Sequence, residues 1–160
     1  VGGRDPGVWF FSLDAANPIA VAAARAWFFL PYHYARMSLR IDPPGPERAS
    51  ETISYASDRL APGPLPASLS ARCAPKGPAS TTEPGTLDHF LVERYVLYSA
   101  RRGRLYRGQV HHAPYSVRAV DVLSLQDSLT DASGIRHPDT PPLAHYSRGV
   151  EVEVFPLERA

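Results

Sequence analysis

The chain has 160 residues, 44% of them hydrophobic and 21% charged, and its formal net charge is +1. These values are typical of a single globular domain, residues 1–160, and the small net charge excludes the strong positive field of nucleic-acid and membrane-surface binders. The one cysteine, Cys73, excludes an intrachain disulfide and a zinc site made of cysteines alone. No apolar run approaches the roughly 20 residues of a membrane-spanning helix, so we expect a cytoplasmic protein with neither a nucleic-acid nor a membrane partner.

Lysine is almost absent from the chain, and proline is abundant. Lys76 is the one lysine among 17 basic residues, and it lies in a proline-rich segment that is unsuited to desolvating an ammonium group. Imine chemistry needs a lysine whose ammonium group is desolvated, so we do not expect imine chemistry here. The 17 prolines mark turns between strands, including turns over residues 42–48 and 60–66, rather than domain linkers.

The first elements follow one another without a linker. Residues 8–13 form a continuous apolar run that predicts a strand covered on both faces. Asn17 is a good helix N-cap, and Pro18 suits the first helical position, so we predict a helix from Pro18 to about Phe29. Its surface is apolar nearly all round, which is typical of a buried helix. Pro31 ends it.

Residues 32–41 alternate between polar and apolar side chains, which predicts a half-buried strand with His33 on its inner face. Further strands are predicted over 51–59, 68–74 and 146–155. Thr86 caps a short helix over 87–93. A hairpin joins 94–100 to 104–112, and 116–131 begins as a strand and ends as a helix before Gly134. Many short strands with two or three helices predict an antiparallel, β-rich α+β domain.

Three segments carry a family resemblance: residues 7–37 (GVWFFSLDAANPIAVAAARAWFFLPYHYARM), 91–114 (LVERYVLYSARRGRLYRGQVHHAP) and 145–157 (HYSRGVEVEVFPL). They resemble the YqjF-like family of uncharacterised proteins, a domain of unknown function in the acetoacetate decarboxylase-like superfamily. The resemblance implies a cone-shaped antiparallel β-barrel-like sheet with a cavity at its wide end. It also implies that this chain corresponds to a C-terminal portion without the N-terminal strands. The sheet edge left exposed would then favour a homodimer.

The resemblance also bears on chemistry at the end of the first helix. In the decarboxylases, the equivalent proline is followed by two lysines, and the first is the Schiff-base nucleophile. Tyr32 and His33 occupy those two positions here, so lysine-imine decarboxylation is not expected. The resemblance places Tyr32 at the nucleophile position, whereas strand alternation turns His33 toward the cavity. Both alternatives stay open, with His33 slightly favoured.

Several polar side chains are expected to border one cavity: Tyr32, His33, Arg107, His111 and Tyr146. Tyr32 and His33 are the catalytic candidates, because an imidazole can act as a general base or donate to a carbonyl oxygen. Arg107 would bind an anion, or it points outward and pairs with a surface carboxylate such as Glu151. His89 and Glu93 have a two-ligand spacing but match no metal motif, so we expect neither a metal nor a cofactor.

Three functions are compatible with these residues. The first is a small-molecule-binding domain whose ligand is an oxo-acid or other carbonyl compound held in the barrel cavity. The second is a lyase or hydrolase that uses His33 as acid or base without an imine. The third is a non-catalytic assembly domain, which predicts a stable dimer and no internal pocket.

Overall fold

The computed structural model describes residues 6–45, 50–63, 67–136 and 139–160. Within these ranges the chain forms eleven strands and three helices. The strands are β1 (Val8–Trp9), β2 (Leu13–Ala15), β3 (Tyr32–Asp42), β4 (Thr52–Ala61), β5 (Ser68–Pro75), β6 (Val96–Arg101), β7 (Arg104–His112), β8 (Arg118–Asp127), β9 (His145–Tyr146), β10 (Val152–Val154) and β11 (Glu158–Arg159). The helices are α1 (Pro18–Trp27), α2 (Leu87–Val92) and α3 (Leu129–Ala132). No described helix is long and apolar enough to cross a membrane.

The strands belong to two sheets. The first has the order β1-β6-β7, with β10 and β11 both on the outer side of β7, and the second has the order β2-β3-β4-β5-β8-β9. Neighbouring strands are antiparallel except for β1 with β6 and β2 with β3, which are parallel. The result is a β-rich, curled half-barrel with three helices, which confirms the predicted β-rich α+β class.

The predicted strand over residues 8–13 is wrong in one respect, because it is two short strands rather than one. β1 pairs with β6 in the first sheet, and β2 pairs with β3 in the second. The break over residues 10–12 is where the chain passes from one sheet to the other. A continuous apolar run therefore reflects two separate pairings, which composition alone does not distinguish.

Helix α1 has the predicted cap but not the predicted burial. Asn17 Oδ1 accepts hydrogen bonds from the backbone N–H groups of Ile19 and Ala20 at 2.9 and 3.2 Å, and Pro18 follows at the first helical position. The helix packs on β2 and β3, and only Val21 is buried. Ile19 is 79% exposed and Trp27 is 72% exposed. The prediction of a buried helix is therefore wrong, because among the described residues only one side of α1 is covered.

The strand predicted over residues 32–41 is present as β3, which pairs with β4. β3 and β4 pair over almost their whole length, with a register shift between Tyr34 and Ala35. His33 and Ala35 are buried as alternation predicts, whereas Leu39, on the same predicted face, is 63% exposed. Alternation defines the two faces of a strand, but whether a face is covered depends on what packs against it.

The hairpin, the Thr86 cap and the strand-to-helix segment before Gly134 are confirmed, as are β4 and β5. The single strand predicted over 146–155 is wrong. It is split into β9, which pairs with β8, and β10, which pairs with β7. Gly149, at a φ of 96°, lies between them and redirects the chain. Of the turns predicted at 42–48 and 60–66, residues 46–48 and 64–66 lie outside the described residues.

No described strand pairs with one side of β8 along most of its length. β5 pairs with it as far as Asp127, whereas on the other side its described partner β9 reaches only Arg118 and Ala119. Leu123 and Leu125 along this stretch are exposed. A homodimer through such a sheet edge stays a prediction.

Gly7 is required where β1 meets β6. A Cβ atom at this position would lie 2.6 Å from the carbonyl oxygen of Val96 and 2.7 Å from the ring of Tyr98. We expect Gly7→Ala to push β1 off β6 and to lower the free energy of unfolding by about 1–3 kcal/mol, as overpacking does. Urea unfolding measures this loss. Gly45→Ala is the matched control, because a Cβ there meets nothing within 4 Å; equal losses in the two variants would contradict the argument.

Candidate functional site

A buried ion pair lies between β2 and β4. Arg59 donates to Asp14 Oδ1 from Nε at 3.0 Å and from Nη2 at 2.8 Å, and Ser57 Oγ donates to Asp14 Oδ2 at 3.0 Å. The side chains of Arg59 and Asp14 are 1% and 6% exposed. Both carboxylate oxygens are therefore satisfied, which is the condition under which a charged pair is tolerated in a protein interior.

The surroundings of this pair are polar as well. Burial raises the pKa of the Tyr55 hydroxyl; a hydrogen bond with Ser57 lowers it, and the charge of Asp14 raises it further. Asp14 is also the register partner of His33 on the neighbouring parallel strand, so the two side chains leave the same face of the sheet. The ion pair and His33 therefore belong to one inner surface.

His33 is held in a defined orientation at the edge of a cleft of about 530 Å³. Its Nδ1 lies 2.6 Å from the carbonyl oxygen of Pro62. Because a carbonyl oxygen can only accept, Nδ1 carries the proton, and Nε2 is left for a ligand. The cleft lies where α1, the start of β3, the end of β4 and the end of β6 meet; its lining residues are Arg25, Phe29, Leu30, Pro31, His33, Pro62, Gly63, Ala100 and Arg101.

The cleft is cationic. Arg25 and Arg101 both line it, and no described lining residue carries a carboxylate. Arg25 Nη1 donates to the carbonyl oxygen of Tyr32 at 2.7 Å, and the guanidinium carbon of Arg101 lies 4.6 Å from the centre of the Phe29 ring. Both guanidinium groups are thus anchored beside the cleft with donors to spare, because an arginine has five N–H groups. Such a cleft suits a small anion.

The residues predicted from sequence do not all meet here. His33 lines the cleft, but Tyr32 is not among the lining residues. Arg107 lies on β7, 37% exposed, with Nη2 3.5 Å from Glu158 Oε2. The surface carboxylate beside Arg107 is thus Glu158 and not Glu151. His111 is also on β7 and is exposed.

Tyr146 is on β9, in the second sheet, and lines a separate cleft of about 130 Å³. The geometry therefore does not bring Arg107, His111 or Tyr146 to the cleft of His33. Arg107 and His111 lie on β7, one strand beyond the β6 residues that line this cleft, and Tyr146 lies on β9 at the far edge of the second sheet.

His89 and Glu93 have other partners. His89 Nδ1 lies 3.2 Å from Thr82 Oγ1. The buried Glu93 accepts from Tyr95 Oη at 2.5 Å and from the backbone N–H of Tyr115 at 2.9 Å. The hydrogen bond to Glu93, with burial and the charge of Glu93, raises the pKa of Tyr95 to about 12. These contacts join α2 and the residue at its C-terminal end to the segment before the helix and to the segments that precede β6 and β8.

Sequence reasoning missed Asp14, Arg59, Arg25 and Arg101. Arg25 had a usable signal, since it is the one charge on an otherwise apolar helix. Asp14 and Arg59 had none, because 45 residues separate them.

The curled half-barrel and the cationic cleft at its helix corner define a β-rich α+β protein with a pocket suited to a small anion. The family model of DUF2071, described as an uncharacterized conserved protein, matches residues 1–151, so the chain belongs to this family. The uncharacterized protein YqjF of Bacillus subtilis (strain 168) is 36% identical over 154 residues. That match covers 96% of this chain and 60% of YqjF. The predicted YqjF-like family is thereby confirmed. No solved structure matches the chain.

Loss of one partner of the buried ion pair should be strongly destabilising. Arg59→Met leaves the Asp14 carboxylate buried and unpaired, so we expect the free energy of unfolding in urea to fall by about 3–5 kcal/mol. The double variant Asp14→Leu/Arg59→Met should lose much less, because no buried charge remains. Arg40→Met is the control: Arg40 pairs with Asp42 at 2.7 Å but is 78% exposed, and such a pair contributes about 0–1 kcal/mol. A double variant as unstable as Arg59→Met would contradict this account.

Tyr95 should make stability depend on alkaline pH. Its pKa is about 12 in the folded protein and 10 in the unfolded chain, so its contribution is complete below pH 10 and disappears as pH rises toward 12. We expect Tyr95→Phe to lower stability near neutral pH by about 1.5–3 kcal/mol, through loss of a hydrogen bond to a charged group. Between pH 10 and 12 it should lose less stability than the wild type does. Urea midpoints measured from pH 8 to 12 test this, with Tyr34→Phe as a control that should keep the wild-type slope.

Proposed function

We propose that this protein is a small-molecule-binding domain of the acetoacetate decarboxylase-like superfamily, and that its ligand is an oxo-acid or another carbonyl compound. One observation carries the proposal: two arginines and an oriented histidine line a single cleft in which no described residue supplies a carboxylate. A 530 Å³ cleft has the size of a small-ligand site. The separate cleft beside Tyr146 is smaller, and Arg107 already has a carboxylate neighbour.

The two arginines supply recognition of the acid group. A guanidinium presents parallel N–H donors that match the two oxygens of a carboxylate, and charge-assisted hydrogen bonds of this kind are among the stronger ones in proteins. Arg25 and Arg101 come from α1 and β6, so a bound carboxylate would join the helix to the first sheet. An oxo-acid satisfies these donors, whereas a neutral ketone does not.

His33 supplies the contact to the carbonyl group. Because Pro62 holds Nδ1–H, the neutral ring offers Nε2 as an acceptor and the protonated ring offers it as a donor. The protonated ring can therefore donate to the carbonyl oxygen, while the neutral ring can accept a proton from the carbon beside that carbonyl. The second role is what a non-imine lyase or a hydrolase would need.

A lysine imine has no support in this cleft. The one lysine, Lys76, lies at an exposed position, where its Nζ donates to Asp121 Oδ1 at 2.6 Å. An ion-paired, solvated ammonium is not a nucleophile at neutral pH. Binding, polarisation of a carbonyl and proton transfer at His33 are the chemistry that remains.

Thermal-shift titration with pyruvate and acetoacetate, against acetone as the neutral control, tests the proposal. Ligand at 100 times its dissociation constant should stabilise the wild type by about 2.7 kcal/mol. Arg25→Gln and Arg101→Gln should each raise the dissociation constant of the oxo-acids about tenfold. His33→Gln should raise the dissociation constant of every carbonyl probe. Arg107→Gln is the matched control and should bind as the wild type does.

Two outcomes would contradict the proposal. If Arg107→Gln loses binding while Arg25→Gln keeps it, the ligand binds elsewhere. If no carbonyl compound shifts the melting temperature and the protein sediments as a stable dimer, the assembly function is favoured. Where binding is found, proton NMR shows whether the protein consumes the oxo-acid, as a lyase would, or only binds it. The enzyme alternative requires that His33→Gln abolish this turnover.

A further inference from the structure

The turn between β6 and β7 concentrates positive charge beside a second cleft. Arg101, Arg102 and Arg104 lie within four residues, and with Phe29 and Tyr106 they line a cleft of about 380 Å³. We refer to these five residues as the turn cleft. It adjoins the cleft of His33, with which it shares Phe29 and Arg101.

The positive charges of the turn cleft repel one another. Arg101 and Arg104 are direct cross-strand partners in the hairpin, and like charges in that position are destabilising. In the part of the chain that the structure describes, none of the three guanidinium groups forms an ion pair with a carboxylate. An anion bound among them would remove this repulsion.

The backbone around the turn cleft is strained at two points. Phe29 has a φ of 52° and Arg102 has a φ of 50°, and these are the two residues other than glycine with positive φ in the described ranges. Both line the turn cleft. In a two-residue hairpin turn of this kind, asparagine followed by glycine is strongly preferred. Asparagine would adopt the backbone conformation of Arg102 at a lower energetic cost. Residues held in unfavourable backbone conformations are common at functional sites.

Aromatic rings orient the charge. The guanidinium carbon of Arg101 lies 4.6 Å from the centre of the Phe29 ring, and the Phe29 ring meets the Tyr106 ring edge-on at 5.0 Å. Arg101 Nη1 also lies 3.5 Å from the carbonyl oxygen of Ala26. These contacts restrict the Arg101 side chain, so less freedom is lost when an anion binds.

We propose that the turn cleft binds a phosphate group, either inorganic phosphate or the phosphate of a small phosphate ester. Three guanidinium groups offer more N–H donors than one carboxylate can accept, whereas a phosphate dianion has enough oxygens to accept from all three. The volume suits a small molecule, and the net charge of +1 gives no wider field for a nucleic acid. This site does not require that the neighbouring cleft bind an oxo-acid.

Isothermal titration with inorganic phosphate and with glycerol 3-phosphate, at ionic strength held constant with sodium chloride, tests the site. Arg102→Asn is the decisive variant, because it creates the favoured Asn-Gly turn while removing one guanidinium. We expect it to unfold at a higher temperature than the wild type and to bind phosphate about tenfold more weakly. Arg104→Gln should show a similar loss of binding. Arg72→Gln, at an exposed position on β5, is the control that should leave binding unchanged.

The outcomes separate this site from the oxo-acid cleft. Loss of phosphate binding in Arg102→Asn, with pyruvate binding unchanged or absent from the start, supports the turn cleft in its own right. Tighter binding of glycerol 3-phosphate than of phosphate identifies a phosphate ester as the ligand, and equal binding identifies phosphate itself. Phosphate binding that is undetectable in the wild type, or equal in the wild type, Arg102→Asn and Arg104→Gln, overturns the proposal.

Discussion

The buried contact between Asp14 and Arg59 fixes β2 against β4 within the second sheet, and the junction of the two sheets depends on where β2 lies. β2 has three residues and, among the described strands, a backbone partner on one side only, so its own hydrogen bonds fix it weakly. Asp14 reaches past β3 to Arg59 and Ser57 on β4, and a buried carboxylate must keep those partners. The ion pair therefore sets where β2 lies. Since β1 is joined to β2 by three residues, it also sets how the first sheet meets the second.

The cleft is a consequence of that placement. Asp14 lies opposite His33, and α1 leaves β2 almost at once, so the helix must return to β3 within a short distance. Phe29 makes the return by taking a left-handed conformation, after which Leu30 is buried. The helix thereby brings Arg25 to the start of β3, while β6 brings Arg101 from the first sheet. No single element forms the cleft, which exists only where both sheets and α1 converge.

The sequence predicts well what depends on near neighbours. The Asn17 cap and the turn at 101–103 follow from local hydrogen bonding and φ preferences, and both are present. It predicts poorly what depends on distant partners: the run at 8–13 is divided between two sheets, because strand pairing is not encoded in its apolar pattern. The ion pair of Asp14 and Arg59 could not be predicted for the same reason, since the sequence around either residue does not indicate its partner. The site could be predicted only as far as His33, whose strand position is a local property.

The nature of the cations constrains what the cleft can do. A guanidinium is a permanent cation without a lone pair to offer, so Arg25 and Arg101 are suited to binding an anion but not to forming an imine or accepting a proton. A lysine in place of one of them would lose the paired N–H donors that match a carboxylate, and would supply a nucleophile only when its amine is deprotonated. With arginine in both positions, the proposed recognition of an acid group would be separate from covalent chemistry. Any proton transfer then falls to His33, whose Nδ1 is already engaged by Pro62 and whose Nε2 is the one ring atom left for a ligand.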